Sequence, residues 1–242
     1  MIARRGLPIE AVRAKPYTPL MPLEPPHVED AACPRCGKPA PLCVCDGIAP
    51  IDNRVAVLIL QHPQEQDVAL GTARLTELHL ANATLKIGLS WPSLTRALGR
   101  PVDPKRWAVL YLGSAKAADL AAGREIVVLD RKGAAESTPE AVLAEIDGII
   151  LLDGSWSQAK ALWWRNPWLL KCRRIVLGPR HPSRYGKLRR EPRRDGLSTI
   201  EAAALLLSRL AGDPAIERML NASFEKLLGR YREARRRGDP AP

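Results

Sequence analysis

No apolar run in this 242-residue chain reaches the roughly 18–20 positions that a helix needs to cross a bilayer, so a helical membrane protein is excluded. The opening stretch, MIARRGLPIEAVRAKPYTPL, carries Arg4 and Arg5 but no apolar h-region behind them. A secretory signal is therefore not expected, and the cytoplasm is the expected compartment. No internal repeat is visible. Acid is nearly missing from one stretch: between Lys171 and Arg194, Glu191 is the only carboxylate set against ten lysines and arginines.

That imbalance helps give a net charge of +11 and a pI near 9.8, which makes a polyanion the default partner. Arg230, Arg232, Arg235, Arg236 and Arg237 form a second group near the end. Arginine outnumbers lysine in both groups, and its planar fork suits phosphates and stacking on bases. Nucleic acid is the expected partner. A merely solvated basic surface is the plainer alternative. Nothing in the sequence points to an obligate protein partner.

A hydrophobic content of 46% supports an ordinary core, in one large domain or in one domain with a small appendage. Residues 1–30 hold Pro8, Pro16, Pro19, Pro22, Pro25 and Pro26 and read as an extended arm. Residues 31–50 hold most of the cysteine, and residues 51–242 alternate strand and helix patterns. RVAVLILQ, WAVLYLGS, EIVVLD, DGIILLD and CRRIVLG read as five strands. ARLTELHLANA, TPEAVLAEI and SQAKALWWRN read as helices between them. The order predicts an α/β fold, a mainly parallel sheet with helices on both faces. After a basic loop from Pro179 to Gly196, LSTIEAAALLLSRLAG reads as a buried helix capped by Ser198 or Thr199. A terminal amphipathic helix follows, with Ile216, Leu220, Phe224 and Leu227 on its inner stripe.

Cys33, Cys36, Cys43 and Cys45 are spaced C-x2-C-x6-C-x-C. Disulfides are not expected in a cytoplasmic chain. Four thiolates so close together, with Pro34 and Gly37 permitting a tight knuckle, match a structural zinc site. The C-x-C second pair departs from an ordinary zinc ribbon, and reduced or redox-active thiols are the rival reading. A closed four-thiolate site leaves no open coordination position, so the metal would be architectural. Cys172, alone at the start of a strand, reads as a small core residue.

Three strand ends share a pattern of apolar residues followed by small or polar ones: LYLGSAKA, LLDGSWSQAK and IVLGPRHPS. In open α/β sheets the ligand crevice lies outside the carboxyl ends of the strands. Gly113, Gly154 and Gly178 would let backbone approach a ligand there. Asp153 sits at the middle junction, where it reads either as the N-cap of the next helix or as a polar group facing a pocket. Trp163 and Trp164 read as packing, and Trp156 either as packing or as a stacking surface.

LDGSWSQAK, SRYGKLRREP, LSTIEAAA and the leading CPRCGKPAPLCVCD together resemble the DTW-domain family, from about Cys33 to the C-terminus. HPQE at His62–Glu65 and TARL at Thr72–Leu75 resemble a further family segment. The namesake Asp-x-Trp core stands here as Asp153-Gly154-Ser155-Trp156, and ALG precedes Thr72 where the family usually has a Thr-Asn pair. The resemblance implies transfer of the 3-amino-3-carboxypropyl group from S-adenosylmethionine to N3 of a tRNA uridine, and its bacterial members suggest the variable-loop uridine. It also implies a SPOUT-like C-terminal half with a deep trefoil knot, binding S-adenosylmethionine in backbone loops.

On that resemblance Asp153, Ser155 and Trp156 are the candidate catalytic residues, Asp153 as base or as orienting group for N3–H. Leu112, Gly113, Ser114, Asp153, Leu177, Gly178, Leu197, Ser198, Thr199 and Glu201 are the candidates for the co-substrate. Free N–H groups at the helix starting near Ser198 offer a seat for its carboxylate. His62, Glu65, Arg74, Arg184, Tyr185, Arg189 and Arg190 are the candidates for RNA. Two other readings stand beside this one: an RNA methyltransferase using the same co-substrate on a similar fold, and a non-catalytic zinc-containing RNA-binding protein.

Overall fold

The structure, a computed structural model, describes residues 32–110, 125–130, 132–189 and 196–238. Six strands form one sheet: β1 (Ala56–Gln61), β2 (Ala83–Ile87), β3 (Trp107–Leu110), β4 (Ile126–Leu129), β5 (Gly148–Asp153) and β6 (Arg173–Leu177), in the order β2-β1-β5-β3-β6-β4. All neighbouring pairs are parallel except β4 with β6. The expected mainly parallel α/β sheet is therefore present, with one antiparallel edge. The proline-rich arm expected at residues 1–30 lies outside the described residues.

Side-chain alternation along the strands feeds two cores. Val57, Ile59, Ile149 and Leu151 join the larger core, which also takes in Ala73 and Leu75 of α1 (Ala73–Leu78). Its bulk comes from α5 (Thr199–Ala211) and α6 (Pro214–Arg237). Leu58, Leu60, Val109 and Ile150 turn to the opposite face, against Leu94 and Ala97 of α2 (Leu94–Leu98), Trp107 and Trp168. Helices thus cover both faces. Two further helices, α3 (Pro139–Ala144) and α4 (Trp156–Arg165), lead into and out of β5.

The helix expected over Ala73–Ala83 stops at Leu78, and Ala83 already belongs to β2, a strand missed in the sequence. β2 lies at the sheet edge and is only half buried, so its text lacks the solid apolar run that marked its neighbours. α5 is buried at every position from Ile200 to Ser208, and Ile216, Leu220, Phe224 and Leu227 of α6 face the core as expected. Leu42 and Val44 of the cysteine knuckle are each 1% exposed within the larger core. Burying each stabilises by about 1.5–3 kcal/mol, which fixes the knuckle to the sheet domain.

Gly148 opens β5 directly beside Trp107. A Cβ at Gly148 would lie 2.5 Å from the Trp107 ring, so only glycine leaves room for that indole against the strand. No helix among the described residues is long and apolar enough to cross a membrane.

Candidate active site at the sheet rim and a four-thiol knuckle

β1 and β5 end together. Their parallel register pairs Gln61 with Asp153, so the two last residues stand side by side on the C-terminal rim. The chain then turns at Gly154, where a Cβ would come within 2.8 Å of Gln158 Cβ. Ser155, not Asp153, caps α4. Its hydroxyl accepts from the Gln158 N–H, and the Gln158 side chain accepts from the Ser155 N–H at 2.6 Å, a reciprocal capping box.

Freed from capping, the Asp153 carboxylate is 7% exposed and reaches across the rim. One oxygen accepts from Gln61 Nε2 at 2.9 Å, and the other accepts from the Thr199 hydroxyl at the first position of α5. Its backbone carbonyl accepts from the His62 N–H at 2.9 Å. An ionised carboxylate offers about four lone-pair sites, so two side-chain donors leave it acceptor capacity. Lys38, buried and donating to the Ala69 carbonyl at 2.7 Å, is pulled down to about 8 by desolvation. The charges of Cys36 and Asp153 oppose that shift, so the ammonium feels the Asp153 carboxylate.

α5 starts in a second capping box. Ser198 is the cap, and Glu201, 4% exposed, returns to the Ser198 N–H at 2.9 Å. Glu201 also accepts from Ser183 Oγ at 2.6 Å and from the Arg184 N–H at 2.8 Å. Glu201, a candidate for the co-substrate, is thus a carboxylate already engaged by the chain's own donors. The Ile200 N–H goes to Thr72 Oγ1 at 3.3 Å, and the Glu201 N–H to Ser198 Oγ at 3.4 Å. Two of the helix-start donors offered to a ligand carboxylate are thus used internally.

The other expected site residues divide. Leu177 ends β6 and is buried, and the Gly178 N–H donates to the Glu125 carbonyl at 3.0 Å. Leu197 is half buried against the larger core. Trp156 is half buried, with Lys160 Nζ 5.6 Å from its ring centroid. His62 caps a short 3-10 turn, accepting from the Gln64 N–H at 3.3 Å. Arg74 is exposed and pairs with Glu77 at 2.6 Å. Leu112, Gly113, Ser114 and Arg190 lie outside the described residues.

Around the basic loop the structure departs from the expected RNA surface. Tyr185 is 3% exposed, donates its hydroxyl to the Leu70 carbonyl at 2.8 Å and meets Phe224 edge-on at 5.0 Å. Its ring is core, with Phe224 against its edge and Arg189 over it, and offers no face to a base. Glu65 is buried too and pairs with Arg189 at 3.2 Å, while Arg184 pairs with Glu225 at 2.9 Å. Trp163 packs on the second core, but Trp164 does not: it is 78% exposed. Adjacent helical residues point about 100° apart, so the pair could not share one inward direction.

Gln61 and Thr72 were missed as site residues. For Gln61 the available signal was a polar residue closing an apolar strand, the same pattern that drew attention to Asp153. Thr72 carried no such signal, because its contact with α5 spans 128 residues.

In the knuckle, the four Sγ atoms of Cys33, Cys36, Cys43 and Cys45 all lie within 4.8 Å of one another. Cys33 and Cys45 are 3.9 Å apart, and Cys36 and Cys43 are 3.8 Å apart. A tetrahedron with Zn–S bonds of about 2.3 Å has edges of about 3.8 Å, so the donor set fits a single zinc ion. Backbone N–H groups, that of Cys36 foremost, bring the Cys33 thiol down to about 6, whereas burial pushes Cys36 and Cys45 up. A bound dication would let all four ionise together. Cys172 is buried, as expected of a core residue, and desolvation pushes its thiol up to about 12.

The family model for the DTW domain matches residues 30–232. Three curated relatives are named tRNA-uridine aminocarboxypropyltransferase 2. The Macaca fascicularis protein is 30% identical over 217 residues, covering 86% of this chain and 65% of the relative. The Mus musculus protein is 29% identical, covering 92% and 65%, and the Drosophila melanogaster protein is 27% identical, covering 81% and 73%. The chain thus spans about 65% of the length of the first two relatives. No solved structure matches the chain significantly.

Proposed function

The chain belongs to the DTW-domain family, and from that premise we propose that it transfers the 3-amino-3-carboxypropyl group of S-adenosylmethionine to N3 of a uridine in tRNA. The relatives' names support this reading. The observation that carries it is the Asp153 carboxylate, left uncommitted by the Ser155 cap and held on the rim by Gln61 and Thr199.

S-adenosylmethionine supplies an electrophilic γ-carbon next to its sulfonium. N3 of the uridine forms a bond to that carbon, the carbon–sulfur bond breaks, and methylthioadenosine leaves with the electron pair. Asp153 accepts the hydrogen bond from N3–H and takes the proton. The Gln61 and Thr199 donors aim the carboxylate and favour its ionised form. Choosing the γ-carbon over the methyl requires that carbon in line with N3 at about 3–3.5 Å. Ser155 acts through its cap, which sets the start of α4, and Trp156 offers an indole face to the uracil or the adenine.

The backbone at Leu112–Ser114, Leu177–Gly178 and Leu197–Thr199 holds the co-substrate in this reading, within a SPOUT-like, deeply knotted C-terminal half. Glu201 serves as a positioning residue that ties Ser183 and Arg184 to the start of α5. Cys33, Cys36, Cys43 and Cys45 hold structural zinc, and the reaction takes place in the cytoplasm.

The Asp153→Asn variant tests the assignment. Retained tRNA binding with transfer lost by about 10²–10⁴-fold is the expected result. Unchanged transfer would remove Asp153 from the chemistry.

A further inference from the structure

Helix α4 begins at the candidate site and carries an outward stripe away from it. Trp156, Lys160 and Trp164 follow one another at intervals of four residues, so they lie on adjoining turns of one face. Lys160 Nζ is already 5.6 Å from the Trp156 ring centroid. Eight residues on, at 1.5 Å per residue, Trp164 stands about 12 Å along the helix from Trp156. With 78% of its surface in water, Trp164 is the most exposed large apolar residue of the described chain, and Leu170, 64% exposed, lies in the short 3-10 segment after the helix.

The charge around this indole differs in kind from that of the basic loop. From Gly154 to Arg190 the sequence holds ten lysines and arginines and no carboxylate. Carboxylates from elsewhere in the fold already take several of them. Arg173 pairs with Glu136, Arg180 with Glu125, Arg184 with Glu225 and Arg189 with Glu65. Lys160, Arg165 and Lys171, the cations nearest Trp164 in the chain, are exposed and enter no ion pair among the described residues.

We propose that Trp164, with the exposed Lys160, Arg165 and Lys171 close to it in the chain, is a stacking platform for a second, unpaired RNA base, about two helical turns from the base that reacts at Asp153. The inference rests on the tRNA reading above and extends it from the pocket to a track along α4. An indole face accepts any base, and exposed cations on the same stretch of chain suit the flanking phosphates. Trp and Arg also suit a protein interface, where Lys is depleted, so it is the two lysines that favour RNA over a protein partner.

The test is binding of bulk tRNA and of a single-stranded oligouridine by the full chain, read separately from transfer. Trp164→Ala weakens both by about tenfold or more, the scale of one lost base stack, and Trp164→Phe restores most of the affinity. Met219→Ala, which trims an exposed apolar side chain on α6, leaves affinity unchanged. Equal affinities for wild type and Trp164→Ala overturn the platform. So does a wild-type dimer that Trp164→Ala splits without RNA, since the indole then serves a second copy of the chain. Wild-type protein that binds RNA through Trp164 yet makes no transfer product sinks the reaction alone. Transfer with Trp164-independent binding sinks the platform alone.

Discussion

The Thr199 hydroxyl at the start of α5 donates to the Asp153 carboxylate at the end of β5, across 46 residues of chain. That one contact joins two segments that the sequence marks separately, LLDGSW and LSTIEA. It also defines the candidate site more sharply than either segment does. Thr72 supports it from behind, accepting from the Ile200 N–H.

Removing the hydroxyl while keeping the shape isolates its contribution. Thr199→Val is expected to fold normally and to lose up to about 10²-fold in transfer, because the carboxylate keeps Gln61 but is no longer aimed. Circular dichroism with steady-state kinetics reads both quantities. A variant of wild-type rate would mean that Asp153 needs no aiming from α5.

Gly148 supplies a stability test far from the chemistry. Gly148→Ala sets a Cβ within 2.5 Å of the Trp107 ring, between two strands that cannot part without breaking the sheet. The expected loss is about 1–3 kcal/mol in denaturant unfolding. Unaltered stability would show that the indole repacks freely.

His79 gives the fold a pH dependence of known sign. Burial holds its imidazole below the ordinary value of 6.5, and its Nε2 lies 2.8 Å from Ser223 Oγ on α6. The unfolded chain therefore takes up the proton first. This contribution is complete above the unfolded value and drains away as pH falls through it toward the lower, folded one. Thermal unfolding from pH 7.5 to 5 should lose stability faster in wild type than in His79→Gln. Identical slopes would contradict the assignment.

Thiol labelling separates the knuckle from the core. In the zinc-loaded protein all five cysteines should react slowly. Chelation should expose Cys33, Cys36, Cys43 and Cys45 together, while Cys172, its thiol pushed up to about 12, waits for unfolding. Early labelling of Cys172, or knuckle labelling indifferent to chelator, would count against the two roles.

Much of this architecture was legible because buried parallel strands write themselves as solid apolar runs, as in VAVLIL and GIILL. β2 was not, since an edge strand half open to water has no such run, and ATLKI follows a helix pattern too closely to stand apart. The antiparallel direction of β4 left no trace, because IVVL reads the same either way. In the site, Asp153, Ser198 and Thr199 could be picked out from their junctions. Gln61 could be placed only once the β1–β5 register was known, and the exposure of Trp164 only once Trp163 had taken the inward position.

The most direct test is product identity. The purified chain, incubated with S-adenosylmethionine and bulk tRNA, should release methylthioadenosine in equal amount to a uridine nucleoside heavier by one 3-amino-3-carboxypropyl group. S-adenosylhomocysteine together with a methylated nucleoside would contradict the account at its centre.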